Sequence, residues 1–361
     1  MNTLDQLIFF VTSRCNSKCR HCFNWHNLNN KMDLSLLDIE NISKKLPKIN
    51  NLLISGGEPF LRNDLPEIIN IFVKNNDIKT VSIPTNGLLT DNIVKISEEI
   101  VKISELELVN INFSLDGRAE IHNYVRGIEN NYAITRITIK KLDELKKKNP
   151  KLKILINSVI IPANANEVTE FSDLVNSWPE INNHYFELLR HNSKEEFDKI
   201  KIDFEFFEHL LYLQYNKYKR EISMNTKNPI KSFLKKVLFL GRNYLIYRQE
   251  FENYVSQKDW KMPCTAGKNI MVINDDGSLS PCELRPKRFN LLAYNSWSEL
   301  NKSPDYQKEL KCIKADKCFC THSCFLNSSF SSNKKMNYLY AIVPGLIYYV
   351  KYEFIDNNPN L

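Results

Sequence analysis

Short apolar runs and helix-spaced stretches take turns along the first half of this 361-residue chain, and that alternation narrows the possible folds more than any other feature. Six candidate strands read as Leu7–Thr12, Asn51–Ser55, Thr80–Pro84, Val109–Ser114, Lys153–Ile161 and His184–Leu189. Between them, Leu34–Leu46, Leu65–Lys74, Asn92–Ile103 and Ala133–Lys148 carry apolar residues at helical spacing. Strand–helix alternation of this kind demands right-handed crossovers and a parallel sheet, either open or rolled into a barrel. Such sheets place their working loops beyond the carboxyl ends of the strands. The distinctive residues of this sequence all fall there.

The second half changes character. Residues 194–260 are rich in Phe, Tyr, Lys and Glu and read as two or three connecting helices. Residues 264–324 are loop-rich and cysteine-rich, a module that a metal would have to staple. Residues 338–355 read as an apolar or amphipathic helix. The N-terminal run lacks the basic region and cleavage site of a signal peptide, so it reads as a first strand. No stretch reaches the length of a membrane span; the longest candidate, 338–350, is interrupted by Pro344 and Gly345. A net charge of +7 is modest for this length. No compact Lys/Arg cluster interleaved with aromatics points to nucleic acid.

The nine cysteines are grouped: three within 15–22, none from 23 to 263, and six between 264 and 324. Without a secretory signal the compartment is expected to be the reducing cytoplasm, where such groups bind metal more often than they form disulfides. Cys15-Asn-Ser-Lys-Cys19-Arg-His-Cys22 directly follows the first strand. Three thiolates on one loop can hold three corners of a cubane and leave one iron without a protein ligand. Taken alone, the same triplet also suits a structural zinc site completed by His21 or His26.

Further signals follow at successive strand ends. Gly56-Gly57-Glu58-Pro59 follows the second strand, Thr85-Asn86-Gly87 the third, and Ser114-Leu115-Asp116-Gly117 the fourth, with His122 and Arg126-Gly127 beyond. Together with Cys-x3-Cys-x2-Cys, these residues resemble the radical S-adenosylmethionine superfamily over roughly residues 5–190. The resemblance implies a partial (β/α)6 TIM barrel, a 4Fe–4S cluster on Cys15, Cys19 and Cys22, and S-adenosylmethionine as cofactor. It places Gly56, Gly57 and Glu58 at the methionine amino group, Ser114 and Asp116 at the ribose, and Arg126 at the carboxylate, with Asn86 and Asn157 as neighbouring contacts. The chemistry is sensible: paired glycines permit close backbone approach, a carboxylate favours an ammonium, and a guanidinium fork fits a carboxylate. Each residue alone suits a helix cap or a surface ion pair as well. Where the superfamily usually has an aromatic residue before the third cysteine, this chain has His21, with Phe23 just after.

The superfamily's shared reaction is reductive cleavage of the cofactor to methionine and a 5′-deoxyadenosyl radical, which takes a hydrogen atom from the substrate. The protein supplies positioning and exclusion of side reactions. A flavodoxin, ferredoxin or reductase is the implied electron donor.

Twelve residues separate Cys264 from Gly277, and four separate Gly277 from Cys282. Asn274-Asp275-Asp276-Gly277 between them supplies a hairpin turn. This resembles the auxiliary-cluster modules called SPASM and Twitch. Cys312, Cys318, Cys320 and Cys324 match the full pattern only in Cys320-x3-Cys324. Six cysteines cannot fill eight ligand positions, so one auxiliary cluster on Cys264, Cys282 and Cys324 with Cys318 or Cys320 is expected. A second cluster with an open iron, His322 as a ligand, and a zinc ribbon stay open. The expected organisation is a barrel over 1–193, a helical connector over 194–260, the auxiliary module over 261–330, and a C-terminal helix and tail over 331–361. Superfamily members with such modules act on peptide or protein side chains, by oxidation or cross-linking, or on small alcohols and amino sugars. Glu187 and Arg190 are expected to face the substrate.

Overall fold

The structure is a computed structural model that describes residues 3–30, 33–190, 203–256, 264–316, 320–332 and 334–355. Its first strand, β1 (Leu4–Thr12), is buried along almost its whole length. A parallel strand covered on both faces needs such a nearly unbroken apolar run. Strand and helix then alternate as the sequence predicts: α1 (Leu36–Lys45), β2 (Ile49–Gly56), α2 (Leu65–Asn76), β3 (Thr80–Thr85), α3 (Thr90–Ile100) and β4 (Leu108–Ser114). After β4 come α4 (Ala119–Arg126), α5 (Asn131–Lys148), β5 (Leu152–Ile160), α6 (Val168–Asn176) and β6 (Asn183–Leu188). Each consecutive pair from β1 to β6 is parallel. The result is a partial (β/α)6 barrel. Local signals agree with it. Ser35 and Asp38 form a reciprocal capping box at the start of α1, satisfying orphan amides there.

Two long helices, α7 (Phe204–Asn225) and α8 (Pro229–Ser256), follow the barrel. They close the exposed edge of β6 with side chains. Gln214 donates to the His184 carbonyl at 3.0 Å, and Glu250 accepts from the Leu188 amide at 3.2 Å. Unpaired edge groups are costly when buried, so these two polar residues do what a seventh strand would otherwise do. A second, aromatic core (Phe186, Phe207, Tyr215, Tyr247 and Tyr352 among others) fills the space between β6 and the helices.

The cysteine-rich region is joined to the barrel more closely than its composition suggests. β7 (Ile270–Ile273) pairs in parallel with β1, from Gln6↔Ile270 to Phe9↔Ile273, and β8 (Leu279–Ser280) returns antiparallel to it. The sheet order is therefore β6-β5-β4-β3-β2-β1-β7-β8. The expected turn is present: Gly277 has φ +79°, and Asn274 accepts from its amide at 2.9 Å. The expectation of a mostly loop-built region is corrected by α9 (Trp297–Lys302), α10 (Pro304–Ala315) and α11 (Ser323–Ser332). Ser296 and Ser303 cap the first two of these by accepting from the Glu299 and Tyr306 amides, and Pro304 sits in the first turn, where no amide is needed.

The tail forms α12 (Lys334–Val350), extended by a π turn over Lys351–Ile355, with Pro344 inside the helix. α12 runs antiparallel along α8 at very short range. A Cβ on Gly241 would lie 1.8 Å from the Ala341 carbonyl, and one on Gly345 would lie 2.2 Å from that of Val237. Gly241→Val should therefore force the two helices apart and cost about 1–3 kcal/mol in urea unfolding. An unchanged midpoint would show that the helices do not meet this closely.

Candidate active site

The loop carrying Cys15, Cys19 and Cys22 leaves β1 and is fastened on two sides. On one side, Gly57 donates to the Thr12 carbonyl and Glu58 to that of Arg14, both at 2.8 Å. A Cβ on Gly56 would lie 2.3 Å from the Thr12 carbonyl oxygen, and one on Gly57 would lie 2.0 Å from that of Arg14. The glycines thus let the loop's own backbone approach, a role the sequence reading gave to approach of the cofactor. On the other side, Lys18 and Arg20 donate to the carbonyls of Arg126 and Val125 at the end of α4, at 3.2 and 2.9 Å.

Glu58 is 2% exposed. It accepts from the Phe60 amide (3.3 Å), the Thr85 hydroxyl (2.9 Å) and the Asn86 amide (2.7 Å), tying the end of β2 to that of β3. Burial pushes its carboxyl up to about 7 despite these donors. Asn86 in turn donates to the Asn16 side chain inside the cysteine loop at 2.7 Å.

Asp116 and Arg126, assigned by resemblance to different ends of one cofactor, are turned toward each other here. The Arg126 Nε and Nη2 atoms meet the two Asp116 oxygens at 2.7 and 3.0 Å, with both residues buried. The fork offered to a cofactor carboxylate is therefore engaged by Asp116, because β4 and α4 bring the two within bidentate range. The remaining nitrogen, Nη1, donates to the Cys19 sulfur at 3.6 Å. Burial works against the Asp116 charge, yet Arg126, His21 and His122 hold its carboxyl down to about 2. His122 accepts from the Asp116 amide through Nδ1 and bonds Asn131 through Nε2, an arrangement of a neutral ring. Burial lowers it to about 4. Ser114 and Asn157 lie opposite one another on β4 and β5. The Asn157 Oδ1 is buried without a partner.

The donor set fits an iron–sulfur group. Burial raises the Cys15 thiol to about 12, with Cys19, Glu58 and Cys22 adding to the effect. Thiolates crowded and desolvated in this way are stable only with a metal to bind them. Amide and guanidinium donors are already aimed at sulfur: Ser17 N–H at Cys15 (3.4 Å) and Arg126 at Cys19. Such hydrogen bonds tune clusters. Among the described residues no three His, Cys, Asp or Glu side chains are closed tightly enough to hold a single metal ion as they stand.

Cys264, Cys282 and Cys320 form a second neighbourhood. Burial raises the Cys282 thiol, and Cys320 and Cys264 add to this. The Leu284 amide donates to the Cys282 sulfur at 3.4 Å. Cys324 sits in the first turn of α11, close to His322. Cys312 sits within α10, and Cys318 lies outside the described residues.

Arg190 stands between the two thiol groups. Its guanidinium lies 4.2 Å from the ring centre of Phe23, next to Cys22, and donates to Glu283, next to Cys282, at 2.7 Å. It also reaches Glu187 at 3.3 Å, and His322 bonds Glu283 at 3.0 Å. Burial opposes ionisation of Glu283, but His322 and Arg190 hold its carboxyl down to about 2. The sequence reading placed Glu187 and Arg190 near the substrate and kept His322 as a possible cluster ligand, but missed Glu283 and Glu250. Glu283 and His322 meet Arg190 where the cysteine-rich region packs against the end of β6, and Glu250 comes from α8. Burial pushes the Glu250 carboxyl up to about 8.

A cysteine loop and a polar belt at the carboxyl ends of a parallel partial barrel define a barrel enzyme. The chain belongs to the radical SAM superfamily. The superfamily's sequence profile matches residues 9–175. The chain is 30% identical to a probable GTP 3′,8-cyclase of Methanococcus aeolicus over 288 residues, 78% of this chain and 86% of that protein. It is 26% identical to the GTP 3′,8-cyclase of Clostridium botulinum over 322 residues, 85% and 91% of the two chains. Among solved structures it resembles native anSMEcpe with bound AdoMet and Cp18Cys peptide, with a TM-score of 0.57 at 20% identity over 97% of this chain and 99% of that one. It also resembles Streptococcus suis SuiB, with a TM-score of 0.55 at 19% identity over 90% and 71%. These structures share the fold. As a superfamily member the protein uses a 4Fe–4S cluster and S-adenosylmethionine, and it requires a substrate and a reductant. No helix among the described residues is long and apolar enough to cross a membrane.

Removing Arg126 would leave a buried, uncompensated Asp116. Arg126→Gln should lose about 3–5 kcal/mol in urea unfolding, and adding Asp116→Asn should restore most of it. In the native chain the pair's contribution is present above the ordinary carboxylate value of 3.8 and is lost as pH falls toward about 2. A double variant no more stable than Arg126→Gln would show that the two residues are not coupled.

Proposed function

We propose that this protein oxidises or cross-links a peptide or protein side chain, using a first cluster on Cys15, Cys19 and Cys22 and an auxiliary cluster on Cys264, Cys282, Cys320 and Cys324. When bound, the two clusters and S-adenosylmethionine would supply a 5′-deoxyadenosyl radical and an acceptor for the substrate's electron. The observation that carries the reading is Arg190, whose one side chain touches the neighbours of both thiol groups, Phe23 and Glu283. A substrate held there lies between the two sets of sulfurs. Cys264, Cys282 and Cys320 with Cys324 of α11 would leave no ligand position to spare, which suits electron transfer better than substrate coordination.

The chain's own residues position and insulate. Arg126 neutralises charge at Cys19 while Asp116 keeps it in place. Glu58, Thr85 and Asn86 fix the loop to the sheet. Ser114 and Asn157, on adjacent strand ends, remain to meet cofactor hydroxyls, and the unpartnered Asn157 Oδ1 supports that assignment. Glu187, Glu283, Arg190 and His322 form a hydrogen-bonded floor against which a polar backbone can lie. An electron donor of the flavodoxin or ferredoxin kind supplies the reducing equivalent.

The GTP 3′,8-cyclase relatives support a second reading, with a purine nucleoside triphosphate as substrate. Charge weighs against it. A triphosphate needs unpaired cations, and Arg126 and Arg190 are each already bound by buried carboxylates. A small alcohol or amino sugar is the remaining alternative, and it needs no such cations.

Reconstituted protein given dithionite and S-adenosylmethionine should release 5′-deoxyadenosine, and Cys22→Ala should release none. Cys282→Ala should carry less iron yet still cleave the cofactor, while losing net oxidation of substrate. Deuterium transfer from a labelled peptide library into 5′-deoxyadenosine would support the peptide reading. Transfer from GTP labelled at the ribose would replace it with the nucleotide one, and transfer from labelled amino sugars with the metabolite one.

A further inference from the structure

The face of α12 that does not pack on α8 is apolar and exposed. Ala341, Tyr348 and Tyr352 point inward and are buried, whereas Leu339 is 63% exposed, Val343 64%, Ile347 60% and Phe354 60%. These four residues recur every four or seven positions, so they form one stripe along the helix. The stripe continues onto α8. Phe233 packs edge-on against Tyr349 with ring centres 5.0 Å apart, and its neighbours Ile230 and Leu234 are 69% and 50% exposed. A soluble surface rarely presents apolar side chains so closely grouped without using them.

Acidic residues are scarce along the two segments that carry the stripe. No Asp or Glu stands between Glu221 and Glu250, or between Asp316 and Glu353, although the chain as a whole carries 42 acidic residues. Lys227, Lys231 and Lys235 are exposed on and just before the first half of α8, beside Ile230 and Leu234. The acids at the stripe's C-terminal end are already paired, Glu353 with Lys219 and Glu208 of α7 with Lys351.

We propose that the α8–α12 face seats the protein on an anionic lipid surface, with the apolar stripe entering the acyl boundary and the lysines meeting the headgroups. Two observations select this occupant. Exposed Lys227, Lys231 and Lys235 stand beside the apolar residues, where an anionic headgroup would meet them, and a lipid interface requires no shape complementarity. A second copy of this chain would set one acid-poor, lysine-bearing face against another, which like charges oppose. Among the described residues neither helix is both long and apolar enough to span a bilayer, so the proposed association is peripheral. This attachment leaves the mouth of the barrel to its own chemistry and does not depend on the proposed reaction.

The test is flotation of anaerobically reconstituted, full-length protein with two vesicle types, phosphatidylcholine alone and phosphatidylcholine mixed with phosphatidylglycerol. The protein should float with the mixed vesicles, bind the neutral ones far more weakly, and be released by high salt. Lys231→Gln and Lys235→Gln should each weaken binding about fivefold. A Val343→Glu/Ile347→Glu double variant should abolish it while keeping its iron content, its circular dichroism and its yield of 5′-deoxyadenosine. Three results would overturn the proposal. One is an absence of binding to either vesicle. Another is equal, salt-insensitive binding to both. The third is a dimer in light scattering that the double variant dissolves, which would assign the face to a second copy.

Discussion

The cysteine loop can reach its position only because two residues beside it have no side chain. Thr12 and Arg14 carry the backbone out of β1, and their carbonyls accept from the Gly57 and Glu58 amides at 2.8 Å. A Cβ at Gly56 or Gly57 would lie 2.3 or 2.0 Å from those same oxygens, closer than any non-bonded contact allows. With the loop seated there, Asn16 comes within reach of Asn86, and Cys19 within reach of Arg126. The polar belt at the strand ends is thus a consequence of one close backbone approach, held by steric permission more than by any single strong bond.

Charge in this belt is handled in pairs. Asp116 meets Arg126, and Glu283 meets Arg190 and His322, all largely shielded from water. Buried pairs of this sort add little net stability over apolar residues, but breaking one is expensive. Their value here is positional. Each pair ties a separate element to the others, α4 to the β4 end in one case and the cysteine-rich region to β6 in the other. A site that must hold a reactive radical gains from side chains that have nowhere else to go.

The second half of the chain serves the first in an unexpected way. β7 pairs with β1 on one side of the partial barrel, while Gln214 and Glu250 cap β6 on the other. Both open edges of a six-stranded parallel sheet are thereby closed, one by backbone and one by side chains. The same docking brings Glu283 and His322 to Arg190.

The linear order of residues settled the strands, the parallel sheet, the cysteine groups and the superfamily, because hydrophobic period and motif spacing are local properties. Strand ends from β1 to β6 differ from the expected ones by only a few residues, for example Leu4 against Leu7 at the start of β1. Helices α9 and α10 were legible too, in Ser296 and in Ser303-Pro304, but the cysteines around them drew the reading toward loop. Contacts between distant parts were decided by tertiary structure alone. That Asp116 and Arg126 bind each other, that the glycines make room for the loop, and that Arg190 spans two cysteine groups all depend on where the helices and the β7–β8 hairpin come to rest. Packing fixes those distances, and no spacing along the chain encodes them.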